Sequence, residues 1–154
     1  MAEGFDLWAA AEVLALRDRG RCPDAAVAAV IPFRGQERGY APASLDEYRF
    51  ICARAVAVRV LSDRYYPECF YRRNDFLVDN ASVVVGYYDG QRGGTAYTFR
   101  RAYSRGVPVV NICSGEPALF EAATWLGPEV WKTGIGIFAE KTDHIRIVAQ
   151  MLLK

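Results

Sequence analysis

A glycine-rich stretch at residues 89–102, DGQRGGTAYTFRRA, is the part of the sequence that most directly suggests chemistry. Gly93 and Gly94 would let the backbone approach a ligand closely, and Thr95 would cap a helix that follows. Free N–H groups and the helix dipole at such a point favour a phosphate or a carboxylate. The Gly-Lys-Ser/Thr ending of a Walker loop is absent. The stretch therefore predicts either an anion-binding turn or a plain strand-to-helix turn that required glycine.

A second stretch, YRRNDFLVD at residues 71–79, combines arginines with carboxylates. On a helix, Arg72 and Arg73 point about 100° apart, so we expect at most one of them in a cleft, whereas Asp75 and Asp79 share a face. Arginine suits bidentate contact with phosphate, and aspartate suits ribose hydroxyl groups. The alternative is a solvated helix surface with salt bridges.

Two further patterns bear on ligand binding. Aromatic residues concentrate between residues 63 and 105, where rings beside arginine could stack a base, although we expect most of them in the core or at a subunit interface. The segment PFRGQ at residues 32–36 places an amide and an arginine just after an apolar run. It is either part of a binding wall or a simple glycine turn.

Cysteine and histidine usage narrows the chemistry. The four cysteines include no C-x-x-C pair, and His144 is the single histidine. We therefore expect reduced cysteines, no metal and no cofactor. A Ser-His-Asp or Cys-His mechanism could use only His144, which lies in a charged segment, and we do not expect one.

The elements that must position these residues are marked by four apolar runs, with helical periodicity between them. The runs lie at residues 25–31, 55–61, 82–88 and 107–112, and the helical patterns lie at residues 5–17, 45–52, around 76–77, and 96–104. Ser44 with Glu47 forms a capping box before the second helix. Strands that alternate with helices predict an α/β, Rossmann-like fold with a mostly parallel sheet and helices on both faces. Ligands of such sheets bind beyond the carboxyl ends of the strands.

Length and composition limit the class of protein. The 154 residues with 52% hydrophobic side chains predict a single domain over residues 1–154, with a helical tail at residues 124–154 packed on it. A net charge of +1 provides no field for nucleic acid or an anionic membrane. No uncharged run approaches the ~20 residues of a membrane span, and the acidic N-terminus is unlike a signal peptide, so we expect a cytoplasmic protein.

Taken together, six segments resemble the YpsA-like branch of the SLOG superfamily, which also includes the Lonely Guy phosphoribohydrolases and DprA. They are GFDLWAAAEVL at 4–14, IPFRGQE at 31–37, LDEYRFI at 45–51, RRNDFLVDNA at 72–81, YDGQRGGTAYTFRRA at 88–102 and GVPVVNI at 106–112. The resemblance implies a pocket for a nucleotide-like ligand. It implies Gly4 and Asp6 at the pocket edge, Phe33 and Gln36 on a wall, Arg73, Asn74 and Asp79 on the ligand-facing helix, and Gly93, Gly94 and Thr95 at the phosphate.

The chain departs from the resemblance in two ways. Lonely Guy enzymes carry a glutamate three residues after the threonine of their glycine motif, where this chain has Thr98. Related chains also have two strands before the segment that matches residues 4–14, and without them the first strand would expose a hydrophobic edge. A partner subunit, a rearranged sheet or a preceding segment of the natural gene could each cover such an edge, and of these we expect a homo-oligomer.

Three functions remain open from the sequence. The leading hypothesis is a sensor or regulatory SLOG domain that binds a nucleotide-like phosphorylated small molecule. The second is an N-glycosidic or phosphoribosyl hydrolase that uses Asp79 or Asp89 as general base; Asp89 is also a candidate ligand contact. The third is an inert structural module that binds another protein.

Overall fold

The computed structural model describes residues 1–114, 137–140 and 144–147. The helices α1 to α4 span Phe5–Asp18, Pro42–Arg54, Cys69–Asp79 and Gly94–Ser104. The strands β1 to β6 span Ala28–Ile31, Ala57–Val60, Val84–Gly86, Val109–Asn111, Ile137–Glu140 and His144–Ile147. Short 3₁₀ helices cover Gln36–Gly39 and Ile112–Ser114.

The first four strands form two parallel pairs, as expected for strands connected through helices. β1 pairs with β2 from Ala28 opposite Ala57 to Ile31 opposite Val60. β3 pairs with β4, with Gly86 opposite Asn111. The order helix, strand, helix, strand confirms the predicted α/β, Rossmann-like fold class.

Two hydrophobic clusters hold the helices to the strands. The first joins α1 and α2 to β1 and is centred on Leu7, Leu14 and Ile51, each with no exposed surface. The second joins α3 and α4 to β3 and contains Val78, Val84, Phe99 and Ala102. These clusters hold α1 and α2 against β1, and the last turn of α3 and the second half of α4 against β3.

The burial of the strands differs from the prediction at β2. All four residues of β1 are buried, whereas all four residues of β2 are exposed. A sheet with helices on both faces predicts that each strand is covered, and this prediction is wrong for β2. Its arginine, Arg59, lies over the ring of Phe76 at 4.7 Å, which covers part of one face.

Two predicted helix caps are also wrong. α2 begins at Pro42 rather than after Ser44, because proline is well suited to the first helical position, and no side chain caps this helix. α4 begins at Gly94 with Gly93 in the capping position, so Thr95 lies inside the first turn.

The predicted C-terminal helix also differs from the structure where the two can be compared. Ile137–Glu140 and His144–Ile147 form an antiparallel strand pair, whereas the sequence predicts a helical tail over residues 124–154. The rest of the tail at 124–154 lies outside the described residues.

Candidate functional site

One cavity of about 240 Å³ opens where α1, α3 and α4 meet the end of β3. α3 contributes Arg73, Asn74 and Leu77, which recur on one stripe of that helix. The other lining residues are Ala2, Glu3, Phe5, Asp6, Val85, Gly86, Tyr87, Gly94, Thr95, Thr98 and Phe99. The cavity therefore contains Asp6, Arg73, Asn74, Gly94 and Thr95 of the predicted site.

Arg73 supplies a buried positive charge to this cavity. Its side chain is 9% exposed, and Nη1 donates to Asp6 Oδ2 at 3.0 Å. Its buried Nε has no hydrogen-bond acceptor within the part of the chain that the structure describes. The neighbouring Arg72 is exposed, which fits the expected divergence of consecutive helical positions. Arg73 thus keeps donor capacity that its aspartate partner does not use.

The start of α4 forms the facing wall. The first N–H to bond along this helix is that of Tyr97, to Gly93 O at 3.1 Å. The N–H groups of Gly94, Thr95 and Ala96 therefore have no partner within the helix. The Asn74 amide nitrogen lies 3.8 Å from the point where a Cβ on Gly94 would stand. This wall combines unpaired backbone donors with the positive end of a helix dipole.

The two glycines differ in what they contribute. Gly93 has a φ of 163°, which is extended backbone that any residue adopts, and a Cβ there would meet no atom within 4 Å. A Cβ on Gly94 would contact only Asn74 at ordinary van der Waals distance. Glycine is therefore not required by the local fold at either position.

Gly86, which sequence reasoning missed, is the glycine of the cavity lining where close packing leaves no room for a Cβ. A Cβ on Gly86 would stand 2.9 Å from Phe99 Cε1. Only a residue without a side chain allows α4 to pack this closely on the end of β3. The isolated glycine within the run SVVVGYY was the available signal, because glycine in a strand often marks close approach of another element.

Thr98 occupies the position at which Lonely Guy enzymes carry a glutamate. It lines the cavity, and its Oγ1 donates to Gly94 O at 2.8 Å. Its hydroxyl is therefore engaged with the first turn of its own helix. No carboxylate is available at this position.

The first residues of the chain form another wall that sequence reasoning missed. Ala2 N–H donates to Asp6 Oδ2 at 2.9 Å, so this oxygen serves both the backbone and Arg73. The amino group of Met1 donates to Val30 O at 2.9 Å, and burial lowers its pKa to about 5. These bonds place Ala2 and Glu3 at the cavity.

Six predicted site residues are not among those that line the cavity: Gly4, Phe33, Gln36, Asp79, Asp89 and Gly93. Gly4 precedes α1 with a φ of 84° and is not among the lining residues. Phe33 packs edge-on against the ring of Phe70, with 5.9 Å between centroids. Gln36 has a buried Oε1 with no partner among the described residues. Asp89 is exposed, and its Oδ1 accepts from Gln91 N–H at 3.1 Å.

Asp79, predicted to contact a ribose, is engaged on the outer side of α3. It accepts from Arg101 Nη2 at 3.1 Å and from Arg105 Nε at 3.0 Å. It does not line the cavity. The structure therefore places it in the helix-surface salt bridges that were the alternative interpretation of this segment.

The described residues contain neither a metal-binding cluster nor a membrane-spanning helix. No group of three or more histidine, cysteine, aspartate or glutamate side chains there could hold a metal ion. No helix in that part of the chain has the length and apolar character needed to cross a membrane.

The parallel strands and their connecting helices place the chain among the Rossmann-like α/β proteins. The family model described as the YspA SLOG family matches residues 2–106. The chain belongs to this YpsA family of SLOG proteins, which confirms the resemblance found in the sequence.

Relatives of known sequence agree with this assignment. UPF0398 proteins of Bacillus thuringiensis strain Al Hakam and Bacillus cereus strain AH187 are each 31% identical over 94 residues. A UPF0398 protein of Bacillus cereus strain AH820 is 30% identical over the same length. In each case the match covers 60% of this chain and 50% of the relative, so the chain spans about half the length of these relatives.

Proposed function

We propose that the protein binds a nucleotide-like phosphorylated small molecule in this cavity and acts as a sensor or regulatory domain. The observation that carries the proposal is that the buried Arg73 guanidinium and the start of α4 line one cavity. Arginine and a helix N-terminus are both well suited to hold phosphate.

The phosphate would lie between Arg73 and the first turn of α4. Arg73 offers an unpartnered Nε, and the backbone of Gly94 and Thr95 offers N–H groups without intrahelical partners. Gly94 and Thr95 are exposed, so a ligand can reach these donors from solvent. Charge-assisted bonds of this kind are shorter and stronger than neutral ones.

The sugar would use the polar side chains around the phosphate site. The buried Asn74 amide can donate and accept, and the carboxylates of Asp6 and Glu3 can accept from hydroxyl groups. The sequence predicts Asp79 for this role, but Asp6 is the better candidate because it lines the cavity and Asp79 does not. Phe33, Gln36 and Asp89 are not part of the proposed phosphate site.

Hydrolysis of an N-glycosidic bond is the less favoured function. Neither Asp79 nor Asp89 lines the cavity, and Thr98 stands at the position of the glutamate that Lonely Guy enzymes carry. Release of free base from nucleoside monophosphates by the wild-type protein would overturn this preference. If Asp6→Asn abolished that release and Asp79→Asn did not, Asp6 would be identified as the general base of the reaction.

We further propose that the chain forms a single domain and works as a homo-oligomer in the cytoplasm. Exposed apolar side chains on the β2 segment, Val56, Val58 and Val60, support an interface. All four cysteines are free, which supports a reducing compartment. Gel filtration that shows a stable monomer at micromolar concentration would contradict the oligomer.

A thermal-shift panel tests the proposed binding function. Mononucleotides, dinucleotides, ADP-ribose and ribose 5-phosphate are each added to the wild-type protein. A compound present at about 100 times its Kd should raise the free energy of unfolding by about 2.7 kcal/mol. A melting temperature unchanged by every phosphorylated compound at millimolar concentration would refute ligand binding, and intact binding to another protein would then favour a structural role.

A further inference from the structure

The proposed phosphate site accounts for only part of a nucleotide. Its cavity of about 240 Å³ is smaller than the roughly 300–1,000 Å³ of typical small-molecule pockets. A sugar phosphate is compatible with such a volume, whereas a complete nucleotide would extend beyond it. If the ligand is a nucleotide, its base therefore lies outside the cavity.

An aromatic cluster of Phe33, Tyr65 and Phe70 lies outside the cavity. The Phe33 ring centroid is 5.4 Å from that of Tyr65 and 5.9 Å from that of Phe70, and both contacts are edge-on. Tyr65 is 61% exposed and Phe70 is 41% exposed. The cluster thus leaves aromatic surface open to solvent, although burial would ordinarily be favourable.

The topology brings this cluster to the ligand-binding edge of the strands. Phe33 follows β1 and Tyr65 follows β2, and these two strands are parallel. The loops after them are joined, because Arg34 N–H donates to Ser62 O at 3.0 Å. Carboxyl ends of parallel strands are where such folds bind ligands.

α3 connects the aromatic cluster to the cavity. Phe70 precedes Arg73, Asn74 and Leu77 by three, four and seven positions, so it extends the stripe of α3 that lines the cavity. Along the helix axis, the backbone position of Phe70 lies about one turn, a rise of about 5.4 Å, before those of Arg73 and Asn74. A ligand held at Arg73 can therefore reach Phe70 along the same helix face.

Two local features of this region are unusual. Glu68, two residues before Phe70, has a φ of 66°, a left-handed conformation for a residue other than glycine. Such backbone strain is concentrated at ligand-binding segments. Gln36, in the loop that carries Phe33, has a buried Oε1 that no described donor satisfies.

We infer that the ligand is a nucleotide whose planar base leaves the cavity and stacks on Phe70 and Tyr65 while its phosphate stays at Arg73. This inference rests on the proposed function. Stacking tolerates any base, because every base has a π-face. The cluster therefore selects nucleotides over sugar phosphates without selecting one base.

Calorimetry with two probes that differ by the base tests the inference. Adenosine 5′-monophosphate and ribose 5-phosphate are titrated into wild type, Phe70→Ala, Phe70→Trp and Tyr103→Ala. Wild type should bind the nucleotide about tenfold more tightly than the sugar phosphate. Phe70→Ala should remove most of that preference without weakening ribose 5-phosphate, and Phe70→Trp should keep it. Tyr103, an aromatic residue of α4 that is 71% exposed, serves as the matched control and should change neither affinity.

The outcomes separate the two proposals. Equal affinity of wild type for both probes, or a preference that survives in Phe70→Ala, would overturn base stacking while leaving the phosphate site intact. An equal loss of affinity for both probes in Phe70→Ala would also overturn base stacking, because the ring would then act only by supporting the shape of the cavity. Binding of neither probe by wild type would refute the proposed function itself.

Discussion

Replacing Arg73 by alanine should weaken binding of any phosphorylated ligand. The side chain is 9% exposed and lines the cavity, and its Nε has no partner among the described residues. The substitution removes the only arginine among the lining residues of the described cavity. It also leaves Asp6 with its bond to Ala2 N–H.

The expected loss of affinity in Arg73→Ala follows from the number and kind of hydrogen bonds that the guanidinium makes to the phosphate. One hydrogen bond to a charged group contributes about 1.5–3 kcal/mol. This corresponds to an affinity lower by about ten- to hundredfold. Arg73→Lys keeps the charge but not the planar fork of donors, so its loss should be smaller. Arg73→Ala should also lower the free energy of unfolding, because it leaves the Asp6 carboxylate, whose side chain is only 25% exposed, without its ion-pair partner.

Isothermal titration with ribose 5-phosphate measures this effect. Arg72→Ala is the matched control, because it removes an equal charge from the adjacent, exposed position of the same helix. The control should lower affinity by no more than about twofold through long-range electrostatics. Equal affinities for wild type and Arg73→Ala, with both proteins folded by circular dichroism, would refute the placement of phosphate at this guanidinium.

Three further outcomes follow from individual contacts. Gly86→Ala should lower the free energy of unfolding by about 1–3 kcal/mol, because its methyl group would meet Phe99; an unchanged melting temperature would contradict the close packing of α4 on β3. Tyr40→Phe should lower the free energy of unfolding by about 1 kcal/mol, because it deletes the hydrogen bond that the phenol donates to Met1 O. Burial raises the pKa of Tyr40 to about 12, above its unfolded value, so its contribution to stability is present below about pH 10 and falls as the pH rises towards 12. An alkaline absorbance titration identical in wild type and Tyr40→Phe would contradict this assignment. Asp6→Asn should lower the melting temperature of the protein without ligand. It should also raise the affinity for inorganic phosphate about tenfold, because it removes a negative charge beside the Arg73 guanidinium. Weaker phosphate binding by this variant would show that Asp6 orients the arginine rather than opposing the anion.

Much of the fold could be predicted because its determinants are local. Apolar runs bounded by turns located all four parallel strands, and helical periodicity located α1 to within one residue of its end at Asp18. The arrangement of Arg73 and Gly94 at one cavity was expected because both follow the strand carboxyl ends.

The remaining features depend on contacts between residues distant in sequence. The engagement of Asp79 by Arg101 and Arg105 arises only when α3 and α4 pack side by side. The exposure of β2 is set by what covers it, which its apolar composition does not specify. The contribution of Ala2 to the cavity depends on a hydrogen bond to Asp6 that no sequence motif predicts.

The central claim is that Arg73 and the first turn of α4 hold one phosphate. Difference density from a crystal of this protein grown with ribose 5-phosphate tests it most directly. The phosphate should lie within about 3 Å of Arg73 and of the Gly94 and Thr95 backbone nitrogens. A phosphate bound elsewhere on the protein, with this cavity holding only solvent, would contradict the claim.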